Sequence, residues 1–129
     1  MRIPRVAVAA VAVAACLAAF GAATALAHDE LKSSSPKSGA TLARTPAAVT
    51  LTFEEPIGKL GAVTATRNGQ GGLLKSARTL PTNAAKVVVR LKRPGPKKQA
   101  GTYRVSWRIT SDDGHPVSGV VTFRVKRPS

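Results

Sequence analysis

Beyond residue 30 the chain alternates apolar and polar positions with a period of two. Val49, Leu51 and Phe53 alternate with Thr50 and Thr52, and Val63 and Ala65 with Thr64 and Thr66. Val87, Val89 and Leu91 alternate with Val88 and Arg90. Tyr103, Val105, Trp107 and Ile109 alternate with Arg104, Ser106 and Arg108, and Val121, Phe123 and Val125 with Thr122 and Arg124. Successive side chains of a strand point to opposite faces, so each run predicts a strand with one face in a core and one in water. Two weaker strands are predicted near 31–34 and 73–79. No segment carries a convincing helical period. Turn-forming residues separate the runs: Ser35-Pro36-Lys37-Ser38-Gly39, Glu55-Pro56, Asn68-Gly69-Gln70-Gly71-Gly72, Pro94-Gly95-Pro96 and Asp113-Gly114-His115-Pro116. The stretch 68–72 reads as a hairpin loop. About seven short strands in roughly 100 residues predict an all-β fold, a two-sheet Greek-key β-sandwich of immunoglobulin-like type. The predicted core is the apolar set of these runs, Val63 included and Ala65 and Val88 left out. Tyr103 and Trp107 are read as core fillers, since they share the inward face of the most regular strand.

The first 27 residues have a different pattern. Arg2 and Arg5 precede an unbroken apolar run over 6–27 that ends in Ala25-Leu26-Ala27, the small-x-small pattern of a signal-peptidase site. A membrane anchor also accommodates such a run, and Val13-Ala14-Ala15-Cys16 fits a lipobox. The alanine content, Gly21 and the apolar residues that follow Cys16 favour cleavage after Ala27. Residues 28–129 then form one domain that carries no stable membrane anchor. Cleavage makes His28 the first residue, with an α-amine of pKa ~8 beside its imidazole, and the two can chelate one metal ion.

Composition narrows the chemistry. The 129 residues hold 20 Lys+Arg against 6 Asp+Glu, a formal net charge of +14, and removal of 1–27 lowers it by two. The single cysteine (Cys16) and single methionine (Met1) both fall in that segment. A disulfide framework, a thiolate site, a cysteine nucleophile and a thioether copper site are therefore excluded from residues 28–129. The basic residues look scattered, and pairs such as Lys97-Lys98 and Lys126-Arg127 read as solvated faces. The acids fall in three adjacent pairs, Asp29-Glu30, Glu54-Glu55 and Asp112-Asp113, and the only histidines, His28 and His115, stand beside two of them. In Asp113-Gly114-His115, residues at i and i+2 can project to one side, Gly114 removes the side chain between them, and Pro116 biases His115 towards extended backbone. The carboxylate can meet the same ion as the imidazole or orient that imidazole by a hydrogen bond. The bland reading is that Asp and Gly are turn formers here. One amine, two imidazoles and a carboxylate make a set of three nitrogens and an oxygen that suits tetragonal Cu(II), and zinc or nickel also bind such donors. The pattern offers no convincing Ser-His-Asp triad and no phosphate-binding glycine loop opening a helix.

These residues resemble the CopC family of exported copper-binding proteins over essentially all of the chain after residue 27. The resemblance runs from His28 through Leu31, Ser34 and the Pro36…Gly39 turn to Val49-Thr50-Leu51-Thr52-Phe53-Glu54-Glu55-Pro56. It is most specific from Gly101-Thr102-Tyr103 through Ser111-Asp112-Asp113-Gly114-His115-Pro116-Val117-Ser118-Gly119, closing with Phe123-Arg124-Val125. It implies a Greek-key β-sandwich and one Cu(II) per chain. His28 would supply amine and ring nitrogens and His115 an imidazole. Asp113 would stand at or near the metal, and Glu55 matches an acidic position near the site in some members. Some members add a methionine-rich Cu(I) site, which this chain has no methionines to build after residue 27. The implied protein is periplasmic or otherwise exported. It carries or buffers copper in resistance or homeostasis and is not an enzyme. An inner-membrane copper transporter is the partner the resemblance suggests, and nucleic acid is not an expected one. Two alternatives stand beside it. One is a copper-dependent oxidative enzyme of the N-terminal-histidine type, and the other is a basic domain that binds envelope polymers.

Overall fold

Strand alternation becomes two sheets in the computed structural model, which describes residues 31–128. The strands are β1 (Leu31–Ser35), β2 (Thr41–Leu42), β3 (Ala48–Phe53), β4 (Ile57–Arg67), β5 (Leu74–Leu80), β6 (Asn83–Leu91), β7 (Gly101–Ser111) and β8 (Pro116–Val125). One sheet has the order β1-β3-β6-β5 and the other β2-β8-β7-β4. This is the expected β-sandwich, with eight strands where the pattern suggested about seven. The addition is β2, two residues that pair parallel to β8 through Thr41↔Arg124 and Leu42↔Val125. Two residues are too few to show a period.

The core forms where the inner faces meet. Val49, Leu51, Val87, Val89, Val105, Ile109, Val121 and Phe123 are all fully or almost fully buried. Each such side chain contributes about 1.5–3 kcal/mol relative to exposure. Phe53 of one sheet meets Trp107 of the other edge to face, with centroids 5.0 Å apart, while Tyr103 stacks on its cross-strand neighbour Phe123. Both aromatics are thus core fillers, as expected. Val63 corrects the expectation, because it is only half-buried. The β4–β7 register slips between Leu60 and Val63, so the alternation read from Val63 does not continue towards the start of β4. Ile57, Ala65 and Val117 join the core instead.

The segment 68–72 is a tight turn, with Arg67 and Gln70 exchanging backbone hydrogen bonds, but it does not close a hairpin. It carries the chain from β4 in one sheet to β5 in the other. The true hairpins are β5–β6 and β7–β8.

Register fixes what lies at each end of the sandwich. Leu31 pairs with Phe53, Ile57 with Ser111, Leu80 with Asn83, and Thr110 with Pro116. The start of β1, the β3–β4 turn, the β5–β6 turn and the β7–β8 turn therefore share one pole. At the other pole Tyr103 closes the core. Its hydroxyl donates to the Gln99 carbonyl at 2.6 Å and shares a 2.7 Å hydrogen bond with buried Thr45. Among the described residues no helix is long and apolar enough to cross a membrane. The apolar run 6–27 and the expected boundary after Ala27 lie outside them.

Candidate metal centre

The β7–β8 turn is built on Ser111, the last residue of β7 and nearly buried. Its N–H donates to the His115 carbonyl at 2.8 Å, and its own carbonyl accepts from Gly114 N–H at 2.9 Å. Gly114 takes φ +94°, a left-handed conformation that costs glycine little. The chain reverses within four residues, and this brings Asp113 back over its own turn. The Ser111 hydroxyl donates to Asp113 Oδ1 and accepts from the His115 N–H at 3.1 Å. His115 Nδ1 lies 3.0 Å from the same carboxylate oxygen.

This pair is open to solvent, with side chains 75% exposed for His115 and 71% for Asp113. The Ser111 hydroxyl, and after it the His115 ring, hold the Asp113 carboxyl at about 2, below its ordinary 3.8. Asp113 is thus an anion over the whole physiological range. In a neutral His115 ring that donates from Nδ1 to Asp113, the lone pair lies on Nε2, the arrangement usual for a metal-binding histidine.

Asp113 and His115 are therefore brought together. Glu55 is exposed in the β3–β4 turn at the same pole, two residues before the Ile57↔Ser111 pair. It forms no group with them: among the described residues no three His, Cys, Asp or Glu side chains stand close enough to hold a metal ion. The expected fourth residue, His28, lies outside the described residues. Leu31, three residues after it, pairs with Phe53 at this pole.

Two residues of the site escaped sequence reasoning. Ser111 matters because of a fold-back that its sequence neighbours do not reveal. The other is Gly58, at the slip between Ile57 and Lys59, where a Cβ would stand 2.9 Å from the Ser111 carbonyl oxygen. Glycine lets β4 close on the base of the turn.

The chain belongs to the CopC domain family, whose model matches residues 31–126. It is 38% identical over 110 residues to "Copper resistance protein C" of Escherichia coli, covering 80% of this chain and 85% of that one. It is 35% identical over 115 residues to the protein of the same name from Xanthomonas campestris pv. juglandis, covering 84% and 88%. The fold is similar to the crystal structure of PcoC, described as a methionine-rich copper resistance protein from Escherichia coli. There the TM-score is 0.60 at 32% identity, covering 78% of this chain and all of that one. The present chain differs from that description, since its one methionine is Met1.

Proposed function

We propose that this chain is an exported copper-binding protein that takes part in copper resistance or homeostasis, with one Cu(II) as its cargo. The ion is held by the α-amine and ring of His28 together with His115. Membership of the CopC family and the names of the two relatives support the copper role. The observation that carries the site is the Ser111–Asp113–His115 turn at the pole where β1 begins. It presents an oriented imidazole but too few donors for a metal, so it needs donors from elsewhere. Three residues of extended chain reach at most roughly 10 Å, which keeps His28 within range of the pole that holds Leu31.

In this reading Asp113 orients His115 through Nδ1, and the solvent-exposed turn lets the imidazole meet its ion from solution. Glu55 adds negative charge from the neighbouring turn and stands outside the ligand set. A set of nitrogen donors favours Cu(II) over the neighbouring divalent ions. Binding displaces protons from the amine and the imidazoles, so it weakens in acid. The protein carries or buffers copper and performs no turnover, and an inner-membrane copper transporter is the receiving partner proposed for it. Copper titration of the chain beginning at His28 tests the assignment. One tight equivalent is expected, and His115→Ala should lose it. Unchanged affinity in that variant overturns the site.

A further inference from the structure

The turns of the sandwich are sorted by charge. At the Asp113–His115 pole the turns at 54–56, 81–82 and 112–115 carry Glu54, Glu55, Asp112 and Asp113 and no lysine or arginine. At the opposite pole the connections at 36–40, 43–47, 68–73 and 92–100, with residues 126–128 after β8, carry no Asp or Glu. That pole presents Lys92, Arg93, Lys97, Lys98, Lys126 and Arg127, all exposed. The ion pair seen among the described residues, Asp113 with His115, is at the other end, so among the described residues these cations have no acidic side-chain partner there. Arg67, Lys92, Arg93 and Lys98 also line a cleft of about 180 Å³ beside Leu73 and Pro94. Eight of the eighteen Lys and Arg after residue 30 thus gather in the connections of one pole as a basic cap, and the other ten lie within strands.

We propose that this cap docks on an anionic phospholipid surface and turns the Asp113–His115 pole away from it. The geometry favours a plane over a polymer strand. The cations stand on loop tips at one end of the sandwich, where they reach a flat surface together. The exposed arginines on the outer face of β7 and β8, Arg104, Arg108 and Arg124, lie outside this cap, and a polymer track would use that face instead. The tip Lys92-Arg93-Pro94-Gly95-Pro96-Lys97-Lys98 puts four cations around an uncharged centre and contains no acid. Attraction between such loops and anionic headgroups is additive and reaches about one Debye length. The inference is independent of the metal reading and is tested without metal.

Both sheets and the core described above lie within residues 31–128, so the chain from His28 is the one to test; the apolar run 6–27 would bind lipid by itself. Sedimentation with phosphatidylcholine vesicles containing phosphatidylglycerol should carry the protein down, and vesicles of phosphatidylcholine alone should not. Binding should disappear between 0.1 M and 1 M salt, as the Debye length falls from about 10 Å to about 3 Å. Each cation near the surface is worth roughly fivefold, so Lys97→Gln with Lys98→Gln should weaken binding roughly 25-fold. Lys59→Gln with Arg78→Gln changes net charge equally, away from the cap, and should weaken it far less. The proposal is overturned if phosphatidylglycerol vesicles bind no protein, or if both double variants lose binding equally. It is also overturned if soluble polyphosphate at matched ionic strength is bound in preference to the vesicles.

Discussion

The Asp113 carboxyl is held at about 2 because two groups of its own turn, the Ser111 hydroxyl and the His115 ring, reach the same oxygen. Ser111→Ala removes the first and larger cause. The Asp113 pKa should then rise towards 3.8, which a carboxyl-carbon NMR titration reads directly, and an unmoved value would contradict the arrangement. The sign of the effect on stability follows. A carboxyl with a depressed folded-state pKa stabilises the fold above its ordinary value and loses that contribution as pH falls from about 3.8 through about 2. Acid unfolding of Asp113→Asn should accordingly be flatter than that of the parent across this window. In the proposed site, copper release in milder acid would have a different origin, in the protonation of amine and imidazole. Asp113→Asn should also weaken copper binding about 10- to 100-fold, the usual cost of losing a group that orients a metal-binding histidine. An equally tight Asn variant would show that the imidazole needs no orienting.

The strands were legible wherever alternation ran unbroken. β3, β6, β7 and β8 each bury one face against the other sheet, so water and core imprint their period on the residue types. The first half of β4 was not legible. Two register slips, with Gly58 and Gly61 beside them, interrupt its alternation, and each glycine admits a close backbone approach from β7. The Asp113-Gly114-His115 pair could be read because all its parts are local. Ser111 could not, because its role depends on how the turn folds back. Gly119 is a further position set by packing across strands: it faces Trp107, and a Cβ there would stand 2.5 Å from the indole ring. Gly119→Ala should therefore overpack the core and cost about 1–3 kcal/mol, measured by urea unfolding. The fluorescence of Trp107, the single tryptophan, provides the signal. At the other pole Tyr103→Phe leaves Thr45 without its hydroxyl partner and should cost about 1–3 kcal/mol in the same assay.

Charge and topology together give the molecule two unlike ends. Three turns and the start of β1 converge on an acidic pole that displays His115, and the basic loops gather at the far side. Sequence order hides this sorting, because residues that share a pole lie in connections scattered between 36 and 128. The acidic pole suits a cation, since anionic turns in an otherwise basic protein concentrate positive ions where the imidazole waits. Native mass spectrometry of the protein recovered from outside the cytoplasmic membrane and loaded with copper is the most direct test of this arrangement. The mass should correspond to a chain that starts at His28 and carries one copper ion, and the His115→Ala protein should appear without metal. A chain that starts elsewhere, or a His115→Ala protein that keeps its copper, would contradict a site shared between the first residue and the β7–β8 turn.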